Sequence, residues 1–139
     1  MKMGKELALF SLGGGAYVGM ELLFRGRSHG SMFLAGGSCF VILGKMGATL
    51  RNLRLPARGL VCAGIITAVE LATGLVFNRD FRVWDYRELP VNFRGQICLP
   101  FSLLWIPLGL AGMELYRAAD YSVARMVSSL SRSSSRRPA

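Results

Sequence analysis

The sequence predicts an all-α polytopic membrane protein, a bundle of four transmembrane helices followed by a short amphipathic C-terminal helix. Three observations carry this prediction. The chain has 139 residues, 52% of them hydrophobic, and a mean hydropathy of +0.38. Its apolar residues gather in four blocks, about 7–24, 32–50, 60–77 and 97–116. Each block approaches the ~20 mostly apolar residues that a span needs. Each is also apolar nearly all round, whereas a soluble helical bundle needs polar faces at a helical period. The chain is short enough for one domain at most. The expected organisation is a four-span domain over 1–116, an amphipathic interfacial helix over 117–130 and a disordered basic tail over 131–139.

Lys2 and Lys5 precede the first block, as in a signal peptide, but Glu6 and Glu21 flank it and no small-x-small cleavage site follows. We read it as a retained span. Gly13, Gly14, Gly15 and Gly19 enrich it in glycine. Gly15 and Gly19 form a GxxxG pair, which lets backbones approach closely within the bundle or between two copies. A polar hinge, R-G-R-S-H-G-S over 25–31, joins it to the second span. That span carries Gly36, Gly37 and Gly44, and Lys45 can snorkel to the interface. Pro56, in the basic loop 51–58, is expected to help end this helix.

The third span shows two stripes of small residues. Gly64, Ala68 and Ala72 recur every four residues and are expected to pack. Ala63, Thr67, Glu70 and Gly74 form the other, which points Glu70 to helix partners or a cavity. The connection 78–96 is the longest between spans. Trp84 and Tyr86 suit a membrane–water interface, and Leu89-Pro90 forbids a regular helix there. An interfacial hairpin or a partly re-entrant lid is expected. The fourth span contains Pro100 and Pro107, with a kink expected at Pro107. Glu114 and Arg117 read as interfacial charges. Val123, Met126, Val127 and Leu130 follow the i, i+3, i+4, i+7 pattern of a surface-lying helix.

The net charge is +9. Basic residues between spans set topology. With the N-terminus inside, eleven Lys and Arg lie on the inner side (Lys2, Lys5, Lys45, Arg51, Arg54, Arg58, Arg117, Arg125, Arg132, Arg136, Arg137). Six lie outside (Arg25, Arg27, Arg79, Arg82, Arg87, Arg94). Both termini are therefore expected in the cytoplasm, in a bacterial-type inner membrane. The charge flanks spans, where it meets lipid headgroups, and no nucleic-acid motif accompanies it. Cys39, Cys62 and Cys98 lie in different spans without CxxC spacing, which supports neither a zinc site nor a disulfide framework. No metal or cofactor is expected.

Charge at membrane depth costs about 2.5–3.5 kcal/mol on insertion scales, so ionisable residues within spans mark packed or functional sites. Glu21, the 25–31 hinge, Glu70 and the 78–96 connection all belong to one side of the membrane, because odd spans end and even spans begin there. Glu21 and Arg25 are four apart and would pair on one helix face. The candidate binding residues are Glu21, Arg25, Ser28, His29, Glu70, Asn78, Trp84, Asp85, Tyr86, Asn92 and Gln96. They concentrate carboxylate, guanidinium, imidazole and amide groups in one leaflet. No P-loop, HExxH or nucleophile elbow is present, so an enzyme is the less favoured class.

Three stretches carry a family resemblance. R-G-x-S-H-x-S-M begins at Arg25, I-I-T-A-V-E-L-A-T-G-L-V-F-N spans 65–78, and W-D-Y-x-x-x-P-x-N-x-x-G-Q-I-C-L begins at Trp84. Together they resemble the bacterial family called Putative ABC-transporter type IV, or CmpB-like, over about 15–116. Gly30 stands where the family pattern has an aromatic residue. The resemblance implies a small four-span membrane protein of permease type. The resulting expectation is a transporter or channel-type permease for an ion or small solute, in contact with membrane lipids and homo-oligomeric. One alternative is a membrane-embedded enzyme acting on a lipid or headgroup, with His29 as acid/base within about 3.2 Å of Asp85 or Glu70, or one water away. The other is a lipid-interacting scaffold, in which the polar cluster only holds helices together.

Overall fold

The computed structural model describes residues 2–136. Four helices account for nearly all of it: α1 (Lys2–Arg25), α2 (Gly30–Leu50), α3 (Leu55–Phe77) and α4 (Leu99–Ser135). All four are long and apolar enough to cross a membrane. The chain is an all-α integral membrane protein, as expected. Between α3 and α4 two short strands, β1 (Asn92–Phe93) and β2 (Ile97–Cys98), pair antiparallel. The long connection is thus irregular over 78–91 and closes in a short hairpin.

Each helix end has a local cause. Gly26 closes α1 in the left-handed region (φ 71°), its amide donating to the Leu22 carbonyl at 3.0 Å. His29 caps α2, its Nδ1 accepting from the Ser31 amide at 3.1 Å. At the other end of α2 the Arg58 guanidinium donates to the carbonyls of Leu50 (3.2 Å), Arg51 (3.0 Å) and Leu53 (3.3 Å). Pro56 sits in the first turn of α3, where its missing N–H is harmless, so it opens the third helix instead of ending the second.

α4 has 37 residues and stays helical through Pro107. At 1.5 Å per residue it is about 55 Å long, well beyond a hydrocarbon core of about 30 Å. The amphipathic segment is therefore the continuation of the last span and not a separate helix. Val123 packs beside the buried Leu9, Phe40 and Tyr116, while Met126 and Leu130 are exposed. Of the stretch expected to be disordered, 131–135 end this helix and 137–139 lie outside the described residues.

The α1–α2 contact is a reciprocal fit of glycine and aromatic residues. Gly13 and Gly14 of α1 receive Phe40 and Phe33, and Gly36 and Gly37 of α2 receive Tyr17 and Phe10. A Cβ on Gly36 would stand 2.5 Å from the Tyr17 Cβ, and one on Gly37 2.8 Å from the Phe10 ring. Gly109 of α4 admits Cys62, whose thiol lies 3.2 Å from the Met113 sulfur. At the end holding the N-terminus, Lys5–Asp120 (2.6 Å) ties α1 to α4 and Lys45–Glu6 (2.8 Å) ties α2 to α1.

Two packing expectations are corrected. Gly15 and Gly19 meet nothing within 4 Å, so the GxxxG pair does not pack inside this bundle. Gly64 is equally open, and Ala68 and Ala72 are exposed. The reason is polarity. α3 can turn only one small-residue stripe inward, and the stripe with Thr67 and Glu70 has hydrogen bonds to satisfy there.

The packing makes a graded prediction for thermal unfolding in detergent. Gly13→Leu and Gly36→Leu each overpack an aromatic contact and cost about 1–3 kcal/mol or more. Gly15→Leu and Gly64→Leu stay within about 0.5 kcal/mol for the monomer. Equal losses at Gly13 and Gly15 would contradict this arrangement.

Candidate functional site

Asn78, at the end of α3, organises the site. It is wholly buried. Its amide nitrogen donates to the Trp84 carbonyl (2.7 Å) and to Gln96 Oε1 (3.0 Å), and its Oδ1 accepts from the Val83 (2.9 Å) and Trp84 (3.2 Å) amides. Gln96 returns a bond from Nε2 to the Asn78 carbonyl (2.9 Å), and Trp84 Nε1 donates to the Gln96 carbonyl (2.9 Å). Gly74 lies against Trp84 and Gln96, where a side chain would collide. This network presses the connection onto the helix ends.

The hairpin completes the clamp. Gln96 N donates to the Phe93 carbonyl, and Arg94 (φ 54°) and Gly95 (φ 66°) form the turn between them. Asn92 lies on this hairpin, bonding the carbonyls of Arg87 (3.2 Å) and Leu89 (2.9 Å). Asp85 is held by Arg87 at 2.7 Å, a bond that keeps its carboxyl below the usual range. Neither Asp85 nor Asn92 lines either of the two cavities described below.

The clamp delivers Tyr86 to Glu70. The Tyr86 hydroxyl donates to Glu70 Oε2 at 3.1 Å, and Trp105 Nε1 from α4 donates to Oε1 at 3.4 Å. Burial pushes the Tyr86 hydroxyl well above its ordinary pKa, so it stays protonated as a donor. Phe101 stacks on Tyr86 at 4.8 Å. One turn before Glu70, Thr67 and Ser102 bond at 2.9 Å between α3 and α4. Among the described residues Glu70 has no basic partner.

Glu70 borders a cavity of about 300 Å³ between α1 and the other helices. Its walls are largely apolar, and Glu21, Arg25 and Glu70 are its only charged lining residues. Glu21 and Arg25 form the expected i, i+4 pair at 2.9 Å, and Arg25 also donates to the Val83 carbonyl at 2.6 Å. That second bond joins the end of α1 to the connection.

The candidate residues thus divide into groups. Glu21, Arg25, Glu70, Trp84 and Tyr86 line this cavity. Ser28 and His29 line a second one beside it, Asn78 and Gln96 are buried struts, and Asp85 and Asn92 belong to the exposed loop surface. His29 binds Ser31 at Nδ1 (Oγ at 2.8 Å), and among the described residues it forms no direct ion pair with a carboxylate. Tyr17 and Trp105 were not among the candidates and also line the cavity. Tyr17 lies four residues before Glu21, on the same helix face, which is a signal that could have found it.

With this geometry in place, the comparison with known families is direct. Residues 20–135 match the family described as Putative ABC-transporter type IV. The chain belongs to that family. The match includes Glu21, Arg25, Glu70 and the whole Asn78 network, but not Tyr17. No curated protein and no solved structure matches the chain.

If Asn78 organises this end of the family's fold, Asn78→Ala leaves several buried groups without partners. It should lower stability by at least about 2 kcal/mol, since each orphaned group costs about 1–3 kcal/mol. Asn92→Ala, on the exposed hairpin, should cost about 1 kcal/mol or less. Thermal denaturation of the two variants in one detergent compares them. Similar losses would show that the Asn78 network is not the anchor.

Proposed function

We propose that this family member is a permease-type protein that binds an ion or small solute in the leaflet formed by the α1–α2 and α3–α4 connections. The observation that carries the reading is the cavity around Glu70. Its charged lining residues are two carboxylates and one guanidinium, and the guanidinium is already paired with Glu21. Glu70 is left without a basic partner in apolar surroundings, held by two neutral donors, so ionising it would place one uncompensated negative charge there. Such a charge attracts a proton or a small cation far more strongly than it would in water. Tyr17, Tyr86 and Trp105 offer aromatic faces to the same ligand. Glu21 and Arg25 stand at the cavity end nearest the helix termini, as a charged gate.

Two further parts of the reading rest on charge and surface. The excess of Lys and Arg at the end with the N-terminus supports cytoplasmic termini in a bacterial-type inner membrane. The outward small-residue faces at Gly15–Gly19 and Gly64–Ala72 support a homo-oligomer, in which subunits together would enclose a pathway.

Trp84 and Trp105 line the cavity, so tryptophan fluorescence can report its occupancy. Titration of the purified protein with ammonium and tetraalkylammonium ions should give a saturable change. Glu70→Gln should weaken it at least about tenfold, the loss expected for one charge-assisted contact. In proteoliposomes with a pH-sensitive dye inside, the same variant should lose cation or proton flux. Unchanged binding and flux in Glu70→Gln would reject the site.

A further inference from the structure

Beside the Glu21–Arg25 pair lies a second cavity of about 360 Å³, more polar than the first, bordered by Arg25, Arg27, Ser28, His29 and Arg82. Its two acidic lining residues are already engaged: Glu21 with Arg25 at 2.9 Å and Asp80 with Arg82 at 3.0 Å. Arg27 is not: it is exposed at the pocket rim, and among the described residues its guanidinium makes no ion pair. Ser28 Oγ is buried and has no hydrogen-bond partner. His29 accepts the Ser31 amide at Nδ1, which puts the neutral ring's proton on Nε2 as a further donor. α2 begins at the next residue, so the positive end of its dipole also faces this layer.

The pocket thus offers donors and one net positive charge, and a buried hydroxyl without a partner is costly to leave so. A compact anion with several acceptor oxygens meets all of these groups at once, which is the chemistry of phosphate. The place in the fold is equally specific. The pocket lies where α1 and α3 end and α2 begins, with Phe77 and Val83 on its border and Leu23 and Phe24 exposed nearby on α1. It shares Glu21, Arg25 and Met32 with the apolar cavity, so a ligand with a phosphate head has an apolar cleft beside it.

We propose that this pocket is a phosphate-binding site that holds the headgroup of an anionic glycerophospholipid. Arg27 supplies the charge, and Ser28 Oγ and His29 Nε2 supply neutral hydrogen bonds. The headgroup pocket adjoins the inner cavity, with Glu21, Arg25 and Met32 in common, but its phosphate contacts do not rest on Glu70.

Delipidated protein in a neutral detergent tests it, by native mass spectrometry and thermal denaturation during back-addition. Phosphatidylglycerol should bind at least about tenfold more tightly than diacylglycerol with the same chains, and should raise the unfolding midpoint. Arg27→Gln should remove most of that preference and Ser28→Ala should weaken it a few-fold. Arg94→Gln, an arginine at the same end but outside the pocket, should leave it intact. Glycerol 3-phosphate separates the sources: protection by phosphatidylglycerol alone assigns a lipid, whereas equal protection by the soluble ester keeps the phosphate site and removes the lipid. Equal binding of phosphatidylglycerol and diacylglycerol, or an Arg94→Gln loss matching Arg27→Gln, overturns the proposal.

Discussion

The structure depends on one buried amide. Asn78 stands where α3 stops, wholly buried within the protein and so shut off from solvent hydrogen bonds. It gathers the backbone of Val83 and Trp84 and the side chain of Gln96. Without such a partner, a nonhelical connection could not lie against membrane-spanning helices, because each bare peptide group would be too costly. The bound connection then puts Tyr86 on Glu70 and gives Arg25 a carbonyl to hold. The polar end of the molecule is therefore one linked assembly, from the end of α1 to the start of α4.

That assembly and the apolar bundle obey different rules. In the bundle, shape decides. Phe10, Tyr17, Phe33 and Phe40 sit where glycines on the facing helix leave room. Near the connection, hydrogen-bond satisfaction decides. Thr67 finds Ser102, Glu70 finds two donors, and Asn78 and Gln96 saturate each other. α3 belongs to both regimes, which is why its orientation follows its polar residues and not its longer run of small ones.

Much of this was legible in the sequence. Four apolar blocks announced four helices, and the four-residue spacing of Glu21 and Arg25 announced their pair. The stripe of Ala63, Thr67, Glu70 and Gly74 announced the inner face of α3. Other features were not legible. Gly13, Gly14, Gly15 and Gly19 look alike along the chain, and only the partner helix distinguishes the packed pair from the open one. Gly64, Ala68 and Ala72 had the same ambiguity. Asp85 and Asn92 looked like ligands because they share a loop with Trp84 and Tyr86. Local bonds to Arg87 and to the hairpin carbonyls claim them instead. Pro56 was read by its ability to stop a helix, although the first turn of a helix accepts proline equally well. The length of α4 was hidden because its polar second half lacks the apolar signal that marks the first.

The unequal grip on α1 has a mechanical consequence. Along α2 it is zipped by interlocking rings and glycines, and near its start Lys5 anchors it to Asp120. Towards its other end the cavity lies between it and much of α3 and α4, and there Arg25 bonds the Val83 carbonyl while Tyr17 and Val18 pack beside Val83 and Trp84. Loss of the Arg25–Val83 bond would therefore leave the apolar contact of Tyr17 and Val18 to hold this end of α1 to the connection, while the zipper along α2 stays untouched.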